Sequence, residues 1–205
     1  RMASARHIEV VLFDVGGILI RLSDIDVWLQ LTGDADEQAF WRRWLHCPAT
    51  KAFDRGQCSI DEFARQMIKS HDLPIDESGF LALFCNLPGG LFEGALELVD
   101  DVAEHLQVGC FSNTNEVHWS QPCNQIVHKK FEHHFLSFEI GLVKPDIEAF
   151  QYVASAFDCA PEAVFFVDDN VINVDAAREF GFQAYVTKGP LETRRVLSDH
   201  GLMKI

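Results

Sequence analysis

Five short runs rich in Val, Phe and Ile, at 8–14, 107–112, 135–140, 163–168 and 183–187, dominate what this 205-residue chain can become. Runs of that length and composition read as strands buried on both faces. Segments with helical periodicity accompany the later ones, at Leu91 to Leu106, Pro145 to Phe157, Val171 to Phe180 and Pro190 to His200. Strands and helices in alternation specify βαβ units, because a parallel neighbour is reached only by a crossover. The expected fold is therefore α/β, a Rossmann-like, mainly parallel sheet with helices on both faces.

The first run breaks this rhythm. Roughly ninety residues separate it from the next, where a crossover needs only about a dozen. Within 21–85 lie helix-like patterns at Asp24 to Leu31, Asp36 to Leu45, Ser59 to Ser70 and Asp76 to Phe84, the third opened by the capping box Ser59-Ile60-Asp61-Glu62. Residues 1–20 and 86–205 are read as the core, and 21–85 as a small helical cap domain inserted after the first strand.

A formal net charge of -14 argues against a nucleic-acid partner or an anionic membrane surface, both of which need clustered Lys and Arg. No apolar run approaches the roughly 20 residues of a membrane-spanning helix. The six cysteines are scattered without a C-x-x-C pair, and no secretory leader precedes the first strand, so a reducing cytoplasm is the expected compartment. Cys110, inside an apolar run, reads as a core residue. Oligomeric state has no signature in the pattern.

Open α/β sheets bind ligands beyond the carboxyl ends of their strands, and a cap rooted after the first strand covers that edge. The strand ends carry Asp14, Ser112 and the pair Asp168-Asp169, with Lys144 in the loop after the third strand. The run Val10 to Leu19 delivers Asp14 into a turn containing Gly16 and Gly17, which makes Asp14 the candidate nucleophile. Taken singly, each has a plainer reading. Asp14 and Ser112 are then turn residues, Asp168-Asp169 a helix N-terminal acidic pair, and Lys144 a solvated surface charge.

Together they carry a resemblance. The strings Phe13-Asp14-Val15-Gly16-Gly17-Ile18-Leu19, Phe111-Ser112-Asn113-Thr114-Asn115, Gly141-Leu142-Val143-Lys144-Pro145-Asp146 and Phe166-Val167-Asp168-Asp169-Asn170 with Asn173 resemble, in order, the four motifs of the haloacid dehalogenase superfamily. The resemblance implies an aspartyl-phosphate formed on Asp14 and a Mg²⁺ cofactor. It implies Asp14, Asp169 and the Gly16 carbonyl as direct ligands, with Asp168 and Asn173 holding metal-bound water or orienting those ligands. Lys144 is then the point charge on Asp14 and the transferring group, and Ser112 donates its hydroxyl to a phosphate oxygen beside the Asn113 backbone N–H. The Gly16-Gly17 turn lets backbone N–H groups approach phosphate. The implied partner is a small phosphorylated metabolite.

One position departs from the pattern. Most phosphatases of the superfamily carry a second aspartate two residues after the nucleophile, as acid and then base, and this chain has Gly16. Loss of such a group costs about 3 to 5 kcal/mol of barrier. Three explanations stand: a leaving group that needs little help, such as a sugar 1-phosphate; an acid lent by the cap, with His46 or Asp54 as candidates; or a slow or retired catalyst. Asp-x-Gly, Ser112 to Asn115 and Phe53 to Ser59 are similar to the bacterial α-D-glucose-1-phosphate phosphatase branch. Two further functions stay open: a metal-independent 2-haloacid dehalogenase-like hydrolase, which the unpaired carboxylates oppose, and a non-catalytic phosphometabolite-binding protein. Trp28, Trp41 and Trp44 are expected to pack the cap, with Trp41 or Trp44 also able to face substrate. Arg42 and Arg43 read as solvated charges or sugar contacts, and His128, His133 and His134 give a weak metal signal.

Overall fold

The computed structural model describes residues 7–203, so the outermost residues assigned to the core, 1–6 and 204–205, lie outside it. In chain order the elements are β1 (Val10–Phe13), β2 (Ile20–Leu22), α1 (Ile25–Thr32), α2 (Glu37–His46), α3 (Pro48–Asp54), α4 (Ile60–His71) and α5 (Glu77–Cys85). They continue with β3 (Pro88–Leu91), α6 (Ala95–Ala103), β4 (Gln107–Ser112), α7 (Glu116–Trp119), α8 (Pro122–His128), β5 (His133–Leu136) and α9 (Ser137–Ile140). The last are α10 (Ile147–Phe157), β6 (Val164–Asp168), α11 (Val171–Phe180), β7 (Gln183–Val186) and α12 (Gly189–Asp199).

The main sheet has the order β5-β4-β1-β6-β7 with every pair parallel. All four β1 residues are buried, and their alternation divides them between two cores. Val11 and Phe13 pack with α6, α8 and α12 on one face. Val10 and Leu12 pack with α10 and α11 on the other. Each such side chain contributes about 1.5 to 3 kcal/mol through burial, which is why a continuous apolar run marks a central strand. Cys110 sits wholly in the first core, where burial pushes its thiol up to about 12.

Two elements depart from the sequence reading. The strand expected at 135–140 is β5 at 133–136, followed by the helical turn α9, because its partner β4 ends at Ser112 opposite Leu136 and leaves no edge to pair with. Pro88–Leu91, expected to lie at the start of the core with Leu91 opening a helical segment, forms β3, antiparallel to β2. This ribbon is the neck of the insert. A side chain at Gly89 would run into Ser23 Oγ, so the strands approach closely only with glycine there.

Helices α1 to α5 fold around their own aromatic cluster. Trp28 is fully buried at its centre, against Phe40, Trp44 and Phe80 at ring separations of 6.2, 5.5 and 5.5 Å. N-caps Asp36, Ser59 and Asp76 each accept a backbone N–H of the first turn, starting α2, α4 and α5. Helix α3 begins with Pro48 instead, and no periodic pattern announces it. No helix among the described residues is long and apolar enough to cross a membrane.

Candidate active site

The chain reverses its direction of travel across the sheet at β1, which has β4 on one side and β6 on the other. Such a switch point opens a crevice at the carboxyl ends of the strands. Register decides what meets there. Phe13 pairs with Val167, so Asp14 and Asp168 come abreast one step later, and the Asp14 N–H donates to Val167 O at 2.9 Å. On the other side Phe13 pairs with Cys110, which brings Ser112 to the same rim.

Lys144 closes this floor. Its Nζ donates to Asp14 Oδ1 at 3.0 Å, Asp168 Oδ2 at 2.6 Å and Phe111 O at 2.8 Å. The ammonium lies 5.0 and 5.3 Å from the ring centroids of Phe111 and Phe166. Only 1% of Lys144 is exposed, so it is no surface lysine. Burial pulls its ammonium down, yet Asp14 and Asp168 outweigh that and hold it above its ordinary range. Asn113 fixes the loop that presents it, donating Nδ2 to Lys144 O at 2.8 Å and accepting the Lys144 N–H at 2.9 Å.

Asp168 is saturated by protein donors: Lys144 Nζ, the Asn170 N–H at 2.8 Å, and Asn173 Nδ2 at 3.2 and 3.1 Å from its two oxygens. Asp14 and Asp169 instead line a cavity of about 130 Å³. Burial first, and then Asp168, push the Asp14 carboxyl up to about 7 despite Lys144. Burial first, and then Asp14 and Asp168, likewise hold Asp169 well above the ordinary carboxylate range. One oxygen from each of these three acids lies within 4.8 Å of the others. Three acids against a single ammonium leave an anionic excess that a divalent cation offsets, and an all-oxygen donor set suits a hard one. Asn173 Oδ1 points the same way, as a buried acceptor with no partner among the described residues. The site therefore fits Mg²⁺.

Gly16 lines the cavity beside Asp14. Gly17 has φ +75°, and a side chain there would run into the Asp169 carboxylate, so both the turn and the approach of Asp169 require glycine. Ser112 and Asn113 also line the cavity, with Ser112 buried.

The roof comes from the insert. Trp41, Trp44 and Leu45 of α2, Phe84 of α5, and Leu22, Leu87 and Pro88 at the neck supply apolar surface, and Asp54 at the end of α3 supplies the roof's carboxyl. Burial pushes Asp54 up to about 8, with only the Asn115 amide donating to it in opposition. Asn115 also hydrogen-bonds His118 Nδ1 at 3.3 Å, while His118 Nε2 lies 2.7 Å from Phe84 O. Burial lowers His118 to about 4, so it is neutral at physiological pH, donating from Nε2 and accepting at Nδ1. These roof and rim contacts of Asn115 and His118 have no counterpart in the sequence reading, although Asn115 closes the second quoted string.

Other candidates lie elsewhere. His46 is exposed and bonded to Arg42 O at 2.7 Å, outside the cavity. Arg42 and Arg43 are exposed, the latter held by Asp34 and Thr32 O. His128 and His134 stack at 3.9 Å, and among the described residues the only grouping of three or more potential metal ligands is the aspartate cluster.

A sequence profile of haloacid dehalogenase-like hydrolases matches residues 8–181. A D-ribitol-5-phosphate phosphatase from Bacteroides thetaiotaomicron is 22% identical over 205 residues, covering 93% of this chain and 97% of its own. A solved HAD family enzyme from Bacteroides thetaiotaomicron, in complex with magnesium and inorganic phosphate, superposes with a TM-score of 0.67 at 26% identity, covering 88% of this chain and 94% of its own. An L-2-haloacid dehalogenase from Xanthobacter autotrophicus shares the fold at a TM-score of 0.60 and 16% identity, over 96% of this chain and 85% of its own.

Proposed function

The chain belongs to the haloacid dehalogenase-like hydrolases, and from that premise we propose that it is a Mg²⁺-dependent phosphatase acting on a small phosphorylated metabolite through an aspartyl-phosphate on Asp14. The observation that carries this reading is the cavity floor, where Asp14, Asp169 and Lys144 face the same space and Lys144 joins Asp14 to Asp168 behind it. Asp14, Asp169 and the Gly16 carbonyl would hold the metal, and Asp168 and Asn173 would orient that set. Bound Mg²⁺ supplies positive charge against a phosphate dianion that three carboxylates would otherwise repel.

An Asp14 oxygen attacks phosphorus, and the P–O bond to the leaving group breaks. Water then attacks the same phosphorus and the bond to Asp14 breaks, releasing inorganic phosphate. Lys144 holds Asp14 Oδ1, which leaves the other oxygen for attack. Ser112 and the Asn113 backbone N–H receive phosphate oxygens.

The apolar roof and the small cavity favour a compact organic group. Lys144 is the one Lys or Arg lining the cavity among the described residues, so nothing there would pair a second anionic group on the substrate. A neutral sugar or polyol monophosphate fits, with a sugar 1-phosphate as the finer reading of Gly16. The six cysteines, all unpaired, support a reducing cytoplasmic setting.

A panel of sugar, polyol, nucleoside and acyl phosphates, assayed with and without Mg²⁺, tests the reading. Phosphate release is expected only with Mg²⁺, abolished by EDTA, and reduced by about 10⁴-fold or more in Asp14→Asn with an unchanged thermal melt. Turnover that survives in that variant overturns the mechanism. Dechlorination of a 2-haloacid insensitive to EDTA would establish the dehalogenase reading instead.

A further inference from the structure

Hydrolysis of an alkyl phosphate leaves an alkoxide unless a proton arrives as the bond breaks, and the cavity has few groups able to bring one. Asp14 is the attacking group, and Asp169 is committed to the cation. The Lys144 ammonium already has three acceptors and is held above its ordinary range, which makes it a reluctant donor. His118 is neutral, with one ring nitrogen against Phe84 O and the other against Asn115. Among the described residues, only Asp54 remains of the titratable groups lining the cavity.

Its position is fixed from both sides. Lys51 Nζ, three residues before it, meets Asp146 Oδ1 at 2.8 Å, and Arg55 Nη2, directly after it, meets Asp146 Oδ2 at 2.6 Å. Asp146 lies two residues beyond Lys144, so one carboxylate ties the Asp54 helix to the loop that carries the floor's ammonium. Directly beyond, Gly56 packs its backbone against Phe138 O, leaving no room for a side chain to lift the helix end away.

We propose that the Asp54 carboxyl, clamped over the cavity by Lys51, Arg55 and Asp146, is the proton donor to the leaving oxygen and then the proton acceptor from the attacking water. In the first step the Asp54 O–H proton passes to the ester oxygen as that oxygen takes the P–O electron pair and departs as an alcohol. In the second, the Asp54 carboxylate removes a proton from water as water attacks phosphorus and the Asp14 carboxylate leaves. The cycle returns Asp54 protonated and Asp14 ionised. Asp54 is the acid of the insert that answers Gly16, and an alkyl ester is then as acceptable as a sugar 1-phosphate.

The surroundings favour the protonated form at rest. Burial pushes Asp54 up to about 8, opposed only by the Asn115 amide. The groups around it are the Cys58 thiol, itself raised by burial and by Glu62 and Asp54, neutral His118, and the floor acids across the cavity. Lys51 and Arg55, on its own helix and just beyond, are turned to Asp146.

The proposal rests on the phosphatase reading, and leaving-group dependence tests it separately. Asp54→Asn keeps the shape and the Asn115 contact, so a thermal melt near wild type is expected. Its kcat/KM for glycerol phosphate and phenyl phosphate, which reports formation of the aspartyl-phosphate, should fall by about 10²- to 10⁴-fold, while that for acetyl phosphate, whose leaving acetate needs no proton, falls less than about tenfold. In the wild type, kcat/KM on the esters should decline as pH rises through about 8, and that limb should vanish in Asp54→Asn. Equal losses of kcat/KM on esters and acetyl phosphate, persistence of the limb, or a wild type that cleaves acetyl phosphate and no ester would each overturn the role of Asp54 while leaving phosphatase activity intact. A wild type inert to all three probes, with or without Mg²⁺, removes the phosphatase reading and this role with it.

Discussion

Asp14 and Asp54 face one cavity from opposite sides, and burial raises both. Their neighbours differ. Asp14 has an ammonium within 3.0 Å and a place in a carboxylate cluster that fits a divalent cation, so its ionised form is the one its surroundings stabilise when that cation is bound. Asp54 has a single amide, and the two cations beside it in sequence are spent on Asp146. In the proposed mechanism the same residue type serves as a nucleophile on the floor and an acid on the roof, and the placement of positive charge separates the two. Charge inventory around a carboxyl, more than its burial alone, assigns its role.

The sharpest way to break this contrast is to remove the floor's own cation. Lys144→Met leaves Asp14 and Asp168 buried without their ammonium, and the metal-free protein should lose about 3 to 5 kcal/mol of stability in urea unfolding, part of it recovered by Mg²⁺. Turnover with Mg²⁺ should fall by about 10³-fold. A stability unchanged in EDTA would mean that the floor carboxylates are protonated at rest, and the contrast would collapse.

A milder change moves the roof's function to the floor. Gly16 has an ordinary backbone, and a Cβ there meets only Leu22 Cδ2 at 3.3 Å, so a side chain is admitted by a small shift of one leucine. Gly16→Asp in the Asp54→Asn background should recover about tenfold or more of ester hydrolysis. An equal gain from Gly16→Asp in the wild-type background would show that Asp54 was not supplying the proton.

The smallest effect concerns the apolar part of the roof. Trp41 contacts Phe40 and Trp44 at 4.8 and 6.2 Å while lining the cavity. Trp41→Ala should raise KM for the preferred substrate about tenfold with kcat changed less than about threefold, because it removes binding surface and no reacting group. A fall in kcat without a rise in KM would place Trp41 in the chemistry and redraw the boundary between the two sides.

The floor was legible because each of its residues ends or follows a strand, and strands advertise themselves by composition. Asp14, Ser112 and Asp168 are then gathered by register, which a parallel sheet dictates once its strands are recognised. Lys144 is expected from the sequence to face Asp14, and its burial and its contact with Asp168 depend on a loop clamped by Asn113, 31 residues away. The roof offered much less. Helix α3 begins with a proline and shows little periodicity, and its orientation rests on ion pairs spanning 95 and 91 residues. His118 carries no signal in the sequence because a lone histidine in a short helix has no pattern, and its link to Phe84 crosses 34 residues.

By itself, the sequence determined the parallel α/β core, and it carries the expectations of a helical insert after the first strand and of a site at the strand ends. These follow from local rules: apolar runs bury, strand ends in such sheets meet at one edge, and glycine turns admit close approach. Tertiary structure alone decided that the neck is a β2–β3 ribbon, that Asp168 is spent on Lys144 and Asn173, and that Asp54 rather than His46 reaches the cavity. The ribbon depends on backbone pairing between the two ends of the insert, and the placing of Asp168 and Asp54 on which distant cations meet which carboxylates, contacts that no local pattern in the chain specifies.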